Sequence, residues 1–160
     1  MAPANRASQP APVDPVAWVQ AVRGAWQTGG LRATEPRVRV IQTIARYSAP
    51  FSAEELYAEL RRQDGRTGRA TVYRTLDQLQ SAGWLARIHP RGGDAGYAPS
   101  FPGHRHHLVC TACGTVITFE GCALDELVAH LASQTAFTIE GHLLQLYGRC
   151  AQCKEIRSEQ

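Results

Sequence analysis

Arg69-Ala70-Thr71-Val72-Tyr73-Arg74-Thr75-Leu76-Asp77-Gln78-Leu79 decides how the first half of this chain folds. Val72, Leu76 and Leu79 recur at helical spacing and form one apolar stripe. Thr71, Tyr73, Arg74, Thr75 and Gln78 are left to spread around the remaining surface. Hydroxyl, guanidinium and amide groups so placed can bond phosphates and base edges. Gly83 then ends the helix.

Three further helices are predicted upstream. Val16, Val19, Val22 and Trp26 keep helical spacing from Pro15 up to the break at Gly29-Gly30. Thr34 can cap a second helix, with Pro36 in its first turn and Val38, Ile41 and Ile44 on one face. Ser52-Ala53-Glu54-Glu55 matches a capping box ahead of Leu56 and Leu60. Downstream, Trp84 to Ile88 and Gly96 to Ala98 read as a hairpin around Arg91-Gly92-Gly93-Asp94. Three helices, a polar-faced fourth and a Gly-tipped hairpin spell a winged helix-turn-helix over residues 15–98. On this pattern alone, a small helical domain with an exposed polar helix is the alternative.

The texture changes after the Pro/Gly-rich stretch at residues 99–104, which reads as a hinge. His107-Leu108-Val109 and Val116 to Phe119 look like strands, Leu124 to Leu131 like a helix, and Phe137 to Tyr147 like a long strand. The expected class is therefore α+β, a winged helix-turn-helix followed by a small α/β zinc-containing domain over 105–160. Cys110-Thr111-Ala112-Cys113 and Cys150-Ala151-Gln152-Cys153 share one C-x2-C frame, 36 residues apart. Two such knuckles offer four thiolates to one tetrahedral Zn²⁺ and leave no open position, so the site reads as structural. Two disulfides are the alternative. In an extended run from His104 to Val109, residues 104 and 106 point to one side, which brings two imidazoles together.

The totals narrow the function. The 160 residues can bury one larger or two small domains, and no apolar run reaches the length of a membrane span. Residues 1–14, Pro- and Ala-rich, read as a disordered tail without a secretory signal, so a cytoplasmic location is expected. The net charge of +3 is unevenly placed. Residues 1–105 hold 14 arginines against 8 acids, while residues 106–160 hold 3 basic residues against 6 acids. A basic first part points to a polyanion such as DNA. A zinc or thiol enzyme needs an open metal position and a nearby general base, and no H-x-E, H-E-x-x-H or nucleophile elbow appears. The chain is therefore not expected to be an enzyme.

Thr71-Val72-Tyr73-Arg74-Thr75-Leu76, His106-His107-Leu108-Val109-Cys110-x-x-Cys113-Gly114, Gly141-His142 and Tyr147-Gly148-x-Cys150-x-x-Cys153, in this order, resemble the ferric uptake regulator (Fur) family. The match spans roughly residues 30 to 153. It implies a homodimeric metal-sensing repressor of metal uptake or homeostasis genes that reads palindromic double-stranded DNA through its winged helix, with residues 105–160 as a metal-binding dimerisation domain; no membrane partner is expected. On the recognition helix Tyr73 and Arg74 match the DNA-contacting pair, supported by Arg69 and Thr71. Arg32 matches a basic residue that reaches the minor groove.

The resemblance also implies a regulatory divalent metal, Zn²⁺, Fe²⁺ or Mn²⁺, at His104, His106, Asp125 and His142. Relatives often build a further hinge sensor. Here its positions are Pro50, Ala98 or Ser100, and Arg105, with only His107 kept. Arginine cannot ligate, and its charge opposes a nearby cation. A replacement sensor could use His89, which falls where zinc-sensing relatives place a ligand, with His107, Glu120 and the fifth cysteine, Cys122. Sulfur there favours zinc and the zinc-sensing branch, with iron or manganese next. A peroxide-sensing regulator of the same family is the alternative signal.

Overall fold

The helices of the first half start where the chain supplies its own caps. In the computed structural model, which describes residues 10–63, 65–90 and 93–155, α1 is Pro15–Thr28. Its first turn is closed by Ala17 N–H donating to Asp14 Oδ1 at 2.7 Å. Helix α2, Glu35–Ile44, begins after Thr34, whose side chain makes no capping bond; proline in the first turn does the work instead. The capping box ahead of α3, Ala53–Gln63, is realised reciprocally. Glu55 N–H donates to Ser52 Oγ at 3.1 Å and Ser52 N–H donates to Glu55 Oε2 at 2.6 Å. Helix α4, Arg69–Ser81, stops just before Gly83, whose φ of +77° suits glycine alone among common residues.

These helices share one core with the start of the hairpin, which is formed by Trp18, Val22, Trp26, Ile41, Ile44, Leu56, Leu60, Val72, Leu76, Leu79 and Leu85 among others. The buried stripe of α1 is Trp18-Val22-Trp26, and Val16, expected inside, is 65% exposed. Trp18 wins that position because its indole buries more area and its N–H is satisfied. It donates to Ser100 O at 2.8 Å and to Trp84 O at 3.2 Å. Thr75, expected on the polar surface of α4, is fully buried. Its hydroxyl donates to Thr71 O at 2.7 Å, which satisfies it locally and frees its methyl for the core.

The hairpin pairs β1, Leu85–Ile88, antiparallel with β2, Gly96–Pro99. Arg91 and Gly92 of its tip lie outside the described residues. A second sheet has the order β4-β3-β5, with β3 at His106–Cys110, β4 at Val116–Phe119 and β5 at Gln145–Gly148. β4 runs antiparallel to β3 and β5 runs parallel to it, with α5, Asp125–Thr135, between them in sequence. A short α6, Ala151–Glu155, carries the last cysteine. The long strand expected from Phe137 shrinks to four residues. β3 starts only at His106, and its parallel register gives Gln145 the partner His107, so the residues before Leu144 have no ladder to join.

The two units meet along one face of the second sheet. Ile88 and Ala98 of the hairpin pack with Val109 and Val116. The first knuckle abuts the loop after α2: a Cβ at Gly114 would stand 2.9 Å from Ala49 Cβ, so only glycine fits. Of the expected disordered tail, residues 1–9 lie outside the described residues, but residues 10–14 are placed. Ala11 forms an antiparallel bridge with Thr118, whose N–H donates to Ala11 O at 3.2 Å. β4 is an edge strand with unpaired backbone groups, and the segment ahead of α1 satisfies one of them.

Candidate metal centres and nucleic-acid interface

Cys110 closes β3, Cys113 and Cys150 lie in the two knuckle loops, and Cys153 sits on α6. Their four Sγ atoms lie within 4.8 Å of one another. Cys113 Sγ and Cys150 Sγ are 3.8 Å apart. Four thiolates at about 2.3 Å from a central Zn²⁺ sit about 3.8 Å from each other, whereas a disulfide needs about 2.05 Å. The disulfide alternative therefore does not match: all five cysteines are free thiols. Backbone N–H groups of Cys113, Cys150 and Ala112 favour the Cys110 thiolate and hold its pKa down to about 5. Cys153, facing the other three sulfurs, is pushed up to about 12. Four crowded sulfurs cannot all ionise unless a cation compensates them, and the donor set suits zinc.

A second cluster gathers His104, His106, Cys122 and His142, again with ligand atoms within 4.8 Å of one another. The imidazoles of His104 and His106 are 4.5 Å apart by ring centroid, and His142 lies 4.7 Å from His104 and 5.3 Å from His106. Cys122 Sγ is 3.1 Å from His142 Nε2. His106 is buried, and neither ring nitrogen has a hydrogen-bond partner among the described residues. Burial, then its neighbours His104 and His142, lower its pKa, so it is held as the neutral imidazole that can ligate.

The alternation of residues 104 and 106 thus brings together the two histidines the sequence pairs, and His142 joins them. Asp125 is not in the cluster. It is the first residue of α5 and is exposed, while Cys122, three residues earlier, takes the fourth place. Cys122 lies in the connection between β4 and α5, just after Gly121 with its φ of +89°, whereas Asp125 already belongs to the exposed first turn of α5.

The second sensor sketched from the sequence does not assemble. Cys122 is committed to the cluster above. Glu120 pairs with Arg105, continuing the β3–β4 register by one position. His89 is exposed after β1 and engages β5 through its backbone. His107 is buried beside Thr118 and Gln145, its register partners, with both ring nitrogens unpaired among the described residues.

Burial, then His106, holds the His107 pKa down to about 4. A depressed folded-state value means that the unfolded chain takes up the proton first as pH falls. Stability is then full above the ordinary value near 6.5 and declines toward pH 4, by at most about 3 kcal/mol. Urea unfolding of the protein with zinc kept in the sulfur cage and the His/Cys cluster emptied is expected to show this slope as pH falls from about 6.5 toward about 4. His107→Leu is expected to remove most of it; an unchanged slope in that variant counts against the assignment.

On α4, the expected DNA-facing residues split by position. Arg74 is exposed, Tyr73 is 36% exposed, and Thr71 is half-buried at the start of the helix. Arg69 and Tyr73 both engage the Glu54 carboxylate on α3. The Tyr73 hydroxyl, then Arg69, hold that carboxyl below its usual range. The Arg69 guanidinium also lies over the Tyr57 and Tyr73 rings, at 5.5 and 5.7 Å. Glu54 thus orients two donors that a phosphate could take over. Arg32 is exposed ahead of α2, and its carbonyl accepts from Arg37 Nη1 at 3.2 Å.

Residues 28–147 match the model of the ferric uptake regulator family. The chain belongs to that family, whose members are metal-dependent DNA-binding regulators. It is 37% identical over 134 residues to a ferric uptake regulation protein of Vibrio parahaemolyticus, covering 82% of this chain and 90% of the relative. A solved ferric uptake regulator of Vibrio cholerae is 35% identical, with a TM-score of 0.52 over 81% of this chain and 99% of that one. A zinc uptake regulator solved with zinc and DNA superposes with a TM-score of 0.72 over 91% of this chain and 99% of that one. At 21% identity, that likeness is one of fold. No helix among the described residues is long and apolar enough to cross a membrane.

Proposed function

We propose that this Fur-family chain is a zinc-responsive repressor of metal uptake or homeostasis genes, acting in the cytoplasm as a homodimer on palindromic DNA. The observation that carries the metal assignment is the second cluster: three imidazoles and one thiol converging within 4.8 Å at the start of β3. Three nitrogens and one sulfur suit Zn²⁺, whereas Fe²⁺ and Mn²⁺ are better served by nitrogen and carboxylate oxygen. The sulfur cage is the structural zinc site and the His/Cys cluster is the regulatory one.

A second copy is supported by the C-terminal unit itself. Helix α5 has no buried residue, and Leu127, Leu131, Phe137, Leu143 and Leu146 are exposed, Phe137 at 73%. Apolar surface of this kind calls for a partner. In the dimer, two α4 helices face DNA half-sites about one helical turn, or a multiple of it, apart. Arg74, Tyr73, Arg69 and Thr71 contact the duplex and Arg32 reaches the minor groove. Zinc at the cluster selects the arrangement in which both helices fit at once, by binding that arrangement more tightly than the others.

The test is fluorescence anisotropy with a duplex carrying an inverted repeat selected from a random pool. With the sulfur cage filled, Zn²⁺ is expected to raise DNA affinity at least tenfold, and Fe²⁺ or Mn²⁺ much less. Arg74→Ala is expected to weaken binding and reduce the salt slope by about one. A rise with Fe²⁺ alone would make this an iron regulator, and equal affinity with every metal would remove the switch.

A further inference from the structure

Two side chains of β5 leave their own sheet and grip the wing. Gln145 Nε2 donates to Arg87 O at 2.9 Å, and Gln145 Oε1 accepts from His89 N–H at 3.2 Å. The Tyr147 hydroxyl donates to His89 O at 2.5 Å and also lies 3.2 Å from Gln145 Oε1. The amide of Gln145 therefore does what a neighbouring strand does. It supplies one donor and one acceptor to the backbone of two alternate residues, Arg87 within the β1–β2 ladder and His89 just after it. On its other edge β1 is occupied by β2, with Arg87 opposite Tyr97 and the guanidinium 4.7 Å from that ring.

The position of this grip in the sequence gives it meaning. Gln145 follows His142 by three residues, and Tyr147 precedes Cys150 by three. A four-residue strand is thus anchored at one end by a histidine of the His/Cys cluster and at the other by a thiol of the sulfur cage. The residues leading into it, 136–144, have no regular structure of their own, so the start of β5 is held by its pairing with His107 of β3 and, ahead of that, by His142 standing among His104, His106 and Cys122. The wing in turn moves with the reading helix, because Leu85 of β1 shares one core with Val72, Leu76 and Leu79 of α4.

We infer that Gln145 and Tyr147 are positioning residues that convert metal occupancy at the His/Cys cluster into the orientation of the DNA-reading unit, through hydrogen bonds to the backbone of Arg87 and His89. The inference rests on the reading that metal at this cluster controls DNA binding. The two residues are not ligands and are not placed against DNA. Without metal, His142 is not held, the start of β5 drifts and the grip is intermittent. With metal, β5 is held at both ends and the wing is fixed.

The test uses the full-length chain with Gln145→Met and Tyr147→Phe, singly and together. Both changes keep volume and remove hydrogen bonding. Zinc content and DNA affinity are measured with both sites filled and after a chelator has emptied the His/Cys cluster alone. Zinc stoichiometry and the low DNA affinity of the chelated form are expected to stay unchanged. DNA affinity of the zinc-filled double variant is expected to fall about tenfold, the low end of what losing three hydrogen bonds to the wing costs. By reciprocity, the gain in zinc affinity caused by DNA shrinks by the same factor. A merely structural role would lower both forms equally, and that result overturns the inference, as does a metal-dependent gain equal to wild type. If Gln145→Met fails to fold, Gln145→Glu keeps the shape, sets a carboxylate against Arg87 O, and is expected to give the same selective loss. A wild-type chain whose DNA affinity ignores zinc overturns the regulatory reading itself. A responsive wild type with an equally responsive double variant overturns only the grip.

Discussion

Serine in place of Cys113 or Cys153 is expected to cost one zinc per chain and to unfold the C-terminal sheet while leaving the winged-helix core cooperative. The sheet has little else to hold it. β5 meets β3 over four residue pairs, α6 is five residues long, and α5 buries no side chain in the single chain. The cage ties the end of β3 to the segment after β5 and to α6, which closes the loop of 36 residues between the knuckles. Structural zinc in small domains contributes about 10–16 kcal/mol of folding free energy, far more than a four-pair ladder supplies. Calorimetry of the variant is expected to show the winged-helix transition alone, where the native protein also melts its zinc-held sheet. The second core, held by Trp18, Ile41, Leu56 and Leu76, is expected to melt as before. Unchanged zinc content with an unchanged melting profile would show that the four sulfurs do not hold the sheet.

His142→Ala is expected to abolish the metal-dependent gain in DNA affinity, a loss of at least tenfold, while the sulfur cage keeps its zinc. Removing one imidazole leaves three donors and frees the start of β5. Cys122→Ser tests selectivity. Its sulfur is the one soft donor in the cluster, so the variant is expected to lose zinc affinity at least tenfold and to retain Mn²⁺ or Fe²⁺ affinity nearly intact. Cobalt loaded into the cluster of the native protein, with zinc already in the cage, is expected to show a thiolate-to-cobalt charge-transfer band that Cys122→Ser removes. Asp125→Asn is expected to change neither property, because that carboxylate lies outside the cluster. A native cobalt form with no sulfur band, together with a weak Asp125→Asn variant, would restore the carboxylate to the site and take Cys122 out of it.

Much of this was legible in the sequence because it depends on short spacings. The apolar stripe Val72-Leu76-Leu79, the capping box at Ser52 and Glu55, and the two C-x2-C frames are local patterns, and local physics decides them. What was not legible depends on contacts between distant residues. Val16 and Trp18 compete for one buried position, and the outcome turns on carbonyls at residues 84 and 100 that accept the indole N–H. Phe137 to Leu144 alternates like a strand, yet the strand forms only where β3 offers a partner. Asp125 and Cys122 are both metal ligands by type, and which of them joins the histidines depends on how the chain runs between β4 and α5. Arg105 and Glu120 neutralise each other because the β3–β4 register puts them opposite, which no spacing rule reveals. The grip of Gln145 on the wing joins residues 58 apart in sequence and has no motif.

The most direct measurement is a zinc titration of the chelated protein followed by DNA anisotropy at each step. The first equivalent per chain is expected to fill the four sulfurs and restore the sheet without raising DNA affinity. The second is expected to enter among His104, His106, Cys122 and His142 and to raise DNA affinity at least tenfold. Full DNA affinity after the first equivalent, with no further change at the second, would contradict the account.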